Sequence, residues 1–284
     1  MRLPVPDTNL NRPRWESPII MTDIHVNLSG KVALLTGAGS GIGRGLALAM
    51  AQAGASVAVL DIAGDAAARV AAEITALGRP AVAHCVDVTD AAAIQAAVDA
   101  TIAALGHIDF VFANAGVLGP ADFLEISPLD WDGVLDVNVK GVAHTCRAVA
   151  AHLMERRAGR ILITASYNGV RAGAHVIPYR VSKAAVIMYT RCLAMVMAPY
   201  QVTVNAICPG VTLTPMQLAY AETTAAERRI TPAEYLAERA ARIPMQHFTE
   251  IEDLAGLALF LVSDRARLIT GQAIAPDGGV MTSS

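Results

Sequence analysis

Thr36-Gly37-Ala38-Gly39-Ser40-Gly41-Ile42-Gly43 is the stretch on which the reading of this chain turns. Before it, Val32-Ala33-Leu34-Leu35 is a continuous apolar run of strand length; after it, the run from Gly41 to Ala53 reads as a helix. Glycines permit a tight turn and let the backbone approach a pyrophosphate. The helix N-terminus then offers N–H donors and the positive end of its dipole to phosphate oxygens. A glycine string alone says little. In this strand–turn–helix context it predicts nucleotide binding, with Gly37, Ser40, Gly41, Ile42 and Gly43 against the phosphates.

Outward from that turn, strands and helices alternate. Apolar runs predict further strands over 57–60, 81–86, 108–113, 160–165, 202–207 and 271–275. Helices are expected over 65–77, 90–105, 128–157, 178–198 and 251–262. Continuous apolar strands alternating with helices predict an α/β fold with a doubly wound parallel sheet, Rossmann-type. A single domain is expected over 28–284, with a polar helical insertion at about 215–243 that reads as a lid. Residues 1–27 differ: Pro4, Pro6, Pro13 and Pro18 interrupt any period, so this part reads as an arm, and Met21 is a second candidate start.

The 284 residues suffice for one large domain with its own core. Hydrophobic residues make up 54% and aromatic ones only 5%, which predicts an aliphatic interior. Lys and Arg (22) nearly balance Asp and Glu (25), which argues against nucleic acid as a partner. Cys85, Cys146, Cys192 and Cys208 form no CxxC pair and predict neither disulfides nor a metal site. No apolar run approaches the ~18 residues of a membrane span, so a cytoplasmic protein without a membrane partner is expected.

Other candidates lie at strand ends, where ligands bind in open α/β sheets. Asp61 follows the second strand, where a carboxylate accepts from ribose hydroxyls and repels a 2′-phosphate; Arg44 is a nearby cation that complicates this reading. Asp87-Val88 ends the third strand and Asn114-Ala115-Gly116 the fourth, the former placed for an adenine amino group and the latter to brace the strand end. Tyr179 and Lys183 stand four apart and share one helix face, with Ser166 thirteen residues before the tyrosine. An ammonium near a phenol is expected to lower the phenol pKa toward neutrality and make it a general acid/base.

Together these motifs make the chain similar to the short-chain dehydrogenase/reductase family from about Leu28 to Gly279. Thr36–Gly43 matches the TGxxxGxG turn; Asp87, Asn114-Ala115-Gly116, Asn138 within Asp136-Val137-Asn138-Val139, Ser166, Tyr179 and Lys183 fall at family positions. Pro209-Gly210 with Thr212 and Thr214 resembles the segment that meets the nicotinamide carboxamide, and Asp277-Gly278-Gly279 the C-terminal turn. The resemblance implies NAD as cofactor and an alcohol or ketone as substrate. It also implies Tyr179 as proton donor/acceptor, Lys183 as a holder of the nicotinamide ribose, Ser166 as stabiliser of the substrate oxygen, and Asn138 as keeper of a relay water. Phe112-Ala113 and His247-Phe248 depart from the usual pattern.

Tyr167 to Pro178 and the insertion, with Met216, Tyr220 and Tyr235, are expected to shape the substrate pocket; Arg171 and His175 are placed to meet a polar or acidic substrate. A polyol, a sugar, a hydroxy acid or a cyclic alcohol all remain open. Apolar surplus on several faces of two helices (His144, Cys146, Val149, Leu153, Met188, Cys192, Met195 and Val196) predicts burial against another subunit, and the resemblance implies a homotetramer built on these helices, with a dimer second. Two other functions compete: a catalytically silent NAD-sensing binding protein, and a nucleotide-sugar epimerase or dehydratase. The intact Ser166, Tyr179 and Lys183 oppose the first. The second usually carries TGxxGxxG and a larger C-terminal substrate domain than the residues after Ile207 allow.

Overall fold

The computed structural model describes residues 26–282, so nearly all of the expected arm, Met21 included, lies outside the described residues. Seven strands form one sheet: β1 (Val32–Thr36), β2 (Ser56–Asp61), β3 (Ala81–Cys85), β4 (Phe110–Ala113), β5 (Gly159–Thr164), β6 (Val202–Ile207) and β7 (Ala273–Ile274). Their order is β3-β2-β1-β4-β5-β6-β7, and every neighbouring pair is parallel. The strand runs are apolar throughout because both faces are covered. Leu34 and Val111 face one core with Ile94, Val149 and Val186, while Ala33, Leu35, Phe110 and Phe112 face the other with Met50, Ile74 and Leu254. The first core is closed by α3 (Ala91–Leu105), α5 (Val142–Arg156) and α6 (Ile177–Met197); the second by α1 (Gly41–Gln52), α2 (Gly64–Ala76) and α9 (Ile251–Val262).

Two helical stretches differ from the expected continuous ones. The first begins at a capping box of Ser127 and Asp130 with Pro128 at its first turn, giving α4 (Pro128–Leu135). It then passes through a π-helical turn, Asp136–Gly141, before α5 resumes and ends at Arg157 in the left-handed region. The insertion is two helices, α7 (Pro215–Arg228) and α8 (Pro232–Ala241), parted by left-handed Arg229 and restarted by a Thr231–Glu234 capping box. Ala221, Ala225 and Tyr235 form a small core of their own there, bordered by Tyr220, Ile230 and Leu236.

The expected apolar surplus on two helices narrows to one. Cys146, Val149 and Leu153 are fully buried in the chain's own core, and His144 Nδ1 lies 3.0 Å from the Val88 carbonyl. Met188, Cys192, Met195 and Val196 on α6 remain exposed. The stretch Ile177–Tyr200 is long and apolar enough to cross a membrane by length and composition, contrary to the expectation that no such run exists. Here it packs against β6 and buries Lys183.

At the opposite end of the sheet from the strand tips, buried Asp109 joins several elements. Its carboxylate accepts from the Val32 amide (2.9 Å) and pairs with His107 (2.9 Å), Arg156 (3.0 Å) and Lys31 (3.5 Å). The cations are partly exposed and contribute little individually. The Val32 amide is buried, and losing its acceptor costs about 1–3 kcal/mol. Asp109→Ala is therefore expected to lower the Tm by roughly 5 °C in thermal unfolding. An unchanged Tm would show that Asp109 is dispensable.

Candidate active site

Strand order reverses between β1 and β4, and the crevice beyond their carboxyl ends is where ligands bind in this architecture. A cavity of about 440 Å³ opens there. Every residue singled out from the sequence for catalysis or cofactor contact lines it, except Asn138. Among the described residues, no group of His, Cys, Asp and Glu is arranged to hold a metal ion.

The glycine turn forms one end. Gly43 admits no side chain, because a Cβ would lie 2.2 Å from the Gly37 carbonyl oxygen and 2.5 Å from Asn114 Nδ2. Asn114 clamps this junction: Nδ2 donates to the Thr36 and Gly37 carbonyls (both 3.1 Å), and Oδ1 accepts from the Thr164 hydroxyl (3.0 Å). No side chain caps the first turn of α1, which also carries no acidic residue. Its N–H groups and dipole are thus available to an anion. At the tip of β2, Asp61 accepts from the amides of Gly39 (2.8 Å) and Ala63 (2.9 Å), which fixes the carboxylate at the cleft wall. Arg44 pairs with Glu73 through both guanidinium and carboxylate, pointing its charge along the α1–α2 surface. Exposed Asp87 accepts from the amide and hydroxyl of Thr89 (both 2.8 Å). This end fits a dinucleotide: a close-approach turn, a free helix N-terminus and a fixed carboxylate.

The other end is built on β5 and α6. Ser166 lies two residues beyond β5, its Oγ accepting from the Asn168 amide (3.1 Å), and it lines the cavity with Tyr179. Lys183 is buried, and its Nζ donates to the Thr164 carbonyl (2.7 Å) while lying 5.5 Å from the Tyr179 ring centroid. Burial pushes the Tyr179 phenol up to about 12, opposed by the Ser166 side chain. Burial also brings the Lys183 ammonium down to about 8. The expectation of a phenol near neutrality is therefore corrected: burial raises it more than the Ser166 side chain and the Arg180 charge lower it.

Asn138 sits behind the wall, in the π-helical turn. Its Oδ1 accepts from the Val117 amide (2.8 Å), and Nδ2 donates to the Val117 carbonyl and the Ser182 hydroxyl (both 2.9 Å). Gly116 lies between, since a Cβ there would come 3.2 Å from Asn138 Oδ1 and 3.4 Å from Lys183 Nζ. π-Turns cluster at functional sites because they re-aim one side chain without ending the helix. Pro209, Gly210, Thr212 and Thr214 close the floor, with Thr214 capping α7 through the Gln217 amide (3.3 Å).

Of the expected pocket-shaping residues, Met216, Tyr220 and His175 line the cavity. Tyr235 instead stands edge-on to Tyr220 (6.5 Å between ring centroids) inside the insertion's core, and Arg171 faces a neighbouring cavity. His247 is exposed, and Phe248 borders a small core with Tyr167, Val211, Ile243 and Val280. The sequence reading passed over Arg180 and Arg239, both of which line the cavity. Arg180 was legible as the residue after Tyr179; Arg239 had no local signal.

The profile of a family described as enoyl-(acyl carrier protein) reductase matches residues 37–281. Oxidoreductase UcpA from Salmonella typhimurium is 38% identical over 253 residues, covering 89% of this chain and 95% of that protein. Among solved structures, an NAD⁺-bound xylitol dehydrogenase superposes with a TM-score of 0.84 at 32% identity, covering 89% of this chain and 99% of that one. A gluconate 5-dehydrogenase from Burkholderia cenocepacia, in complex with NADP and tartrate, also gives 0.84, at 31% identity over 92% of this chain and 98% of that one. This chain belongs to the short-chain dehydrogenase/reductase family. It is an oxidoreductase of that type, acting on alcohol or carbonyl substrates.

Proposed function

We propose that this enzyme transfers hydride between NAD(H) and a secondary alcohol or its ketone, with Tyr179 as the general acid/base. The observation that carries this reading is that Ser166, Tyr179 and Lys183 line the same cavity as the glycine turn and Asp61. The nicotinamide, when bound, supplies or accepts the hydride. Pro209, Gly210, Thr212 and Thr214 hold its carboxamide end, and Lys183 its ribose. Asp61 takes the adenosine ribose hydroxyls, Asp87 and Val88 the adenine. In the reducing direction Tyr179, protonated at neutral pH, gives its proton to the substrate oxygen while the Ser166 hydroxyl donates a second hydrogen bond to it. Lys183 positions the phenol and favours its ionised form once the proton has left. Asn138, fixed by Val117 and Ser182, holds the backbone beside Lys183 and orders the relay water. A screen of polyols, sugars, hydroxy acids and cyclic alcohols, followed by NADH absorbance, is expected to find turnover. NADH binding without turnover of any alcohol or ketone would instead favour a silent binding protein.

We place the enzyme in the cytoplasm, in keeping with four unpaired cysteines among the described residues. We also infer a homotetramer built partly on the exposed apolar face of α6. Sedimentation is expected to give about four times the chain mass of 29.6 kDa. A species of one chain mass at micromolar concentration would refute assembly.

A further inference from the structure

The substrate end of the cavity holds charges that the proposed chemistry does not use. Arg180 on α6 and Arg239 on α8 face the same space as Tyr179. Beside them a second cavity of about 430 Å³ is lined by Arg171, Arg180, Arg239 and Arg242, with no aspartate or glutamate. Among the described residues, the only acids lining the first cavity, Asp61 and Asp87, belong to its far end at β2 and β3.

The partners of these arginines are neutral. Arg180 donates through Nε to the His175 carbonyl (3.0 Å) and through Nη1 to the Arg171 carbonyl (2.7 Å). Arg239 Nη2 donates to the Tyr167 hydroxyl (3.0 Å), and Arg171 Nη1 to the Val280 carbonyl (3.3 Å). Among the described residues none of the four makes an ion pair with a carboxylate, and Arg242 feels Glu238 only at longer range. Burial pushes the Arg180 pKa down, with Tyr167 opposing it and the charges of Arg239 and Arg171 adding to it, whereas Arg239, bonded to Tyr167, is held up despite its own burial. Guanidinium groups gathered in this way repel one another until an oxyanion lies among them, where planar donors match carboxylate or phosphate oxygens.

Two further polar residues border the same end. Asn168 Oδ1 and Gln217 Nε2 are buried without hydrogen-bond partners, and both residues line the cavity. Buried polar atoms are rarely left unpaired, but these two are enclosed by protein and meet a ligand only if their side chains turn. We propose that the substrate is a small hydroxylated compound carrying a carboxylate or phosphate group, its oxyanion held by Arg180 and Arg239. This rests on the dehydrogenase reading above and narrows it: neutral polyols and cyclic alcohols become the poorer substrates. Arg171 and Arg242 add long-range attraction from the loop and from the end of α8.

The test is calorimetric titration of the NADH-saturated protein, in which the phosphate-binding turn is already occupied. Tartrate is compared with threitol, which has the same carbon skeleton and hydroxyls with CH₂OH in place of each carboxylate, and with inorganic phosphate. Tartrate or phosphate is expected to bind at least about tenfold tighter than threitol, as one charge-assisted contact supplies. That advantage is expected to fall with added salt. Whichever of the two binds tighter names the anionic group. In Arg180→Gln and, separately, Arg239→Gln, each retaining a donor for its neutral partner, the advantage is expected to shrink while NADH affinity holds. The proposal is overturned if neither anion outbinds threitol on the NADH-bound protein, or if both variants bind NADH normally and keep the full advantage. Failure to bind NADH at all would instead overturn the dehydrogenase reading.

Discussion

Tyr179→Phe is expected to lower turnover by at least ~100-fold, the low end for a positioned general acid/base, with little change in NADH affinity. The substitution removes one hydroxyl from the cavity wall shared with Ser166 and leaves the glycine turn, Asp61 and Asn114 untouched. Lys183→Ala is expected to impair both turnover and cofactor binding, because that residue is proposed to serve both. The raised phenol gives the reaction a direction-dependent pH profile. A group held at about 12 stays protonated through the neutral range, so ketone reduction runs with its acid already loaded. Alcohol oxidation needs the ionised form, whose population grows about tenfold per pH unit below the pKa. Oxidation is therefore expected to accelerate from neutral into alkaline pH, while reduction gains nothing there. A Tyr179→Phe enzyme with near-normal rates in both directions would remove the mechanism.

A preference for NAD over NADP of roughly 100-fold or more is expected in the ratio of kcat/KM values. The carboxylate of Asp61 is held by the Gly39 and Ala63 amides at the cleft wall, where the adenosine 2′ position is proposed to lie. Hydroxyls there gain charge-assisted hydrogen bonds, whereas a phosphate meets a like charge. Two unit charges ~4 Å apart at an effective dielectric of ~20 repel by about 4 kcal/mol, and each ~1.4 kcal/mol is tenfold in affinity. Arg44 is the cation best placed to offset this, but it is engaged with Glu73. Asp61→Ser with Ile62→Arg removes the repulsion and adds a phosphate partner, Ile62 being exposed on the cavity rim. The double variant is expected to shrink or reverse the preference. Equal kcat/KM for the two cofactors in the unaltered enzyme would show that Asp61 does not gate the 2′ position.

Both expectations depend on features that differ in how plainly they can be read from sequence. The glycine turn, the parallel strands and the Tyr179–Lys183 pair are local: spacing on one strand or one helix determines them, and the structure places them where the spacing put them. The π-helical turn at Asn138 was not legible, because Asp136–Gly141 contains nothing that a regular helix would exclude; the shift lies in backbone pairing alone. The phenol's rise was not legible either, since desolvation comes from remote segments while the lysine four residues away is visible at once. Cys146, Val149 and Leu153 misled for the same reason: only the packed chain shows that its own sheet absorbs them.

The small core shared by α7 and α8 has a consequence for how such an enzyme changes over time. Ala221, Ala225 and Tyr235 pack among residues of the insertion itself, apart from the two cores that sandwich the sheet. Substitutions at Ala221, Ala225 and Tyr235 can therefore be absorbed within the insertion, whereas its cavity-lining residues Met216, Tyr220 and Arg239 change the substrate end directly. New substrates become accessible to a lineage that never disturbs the machinery at the strand tips.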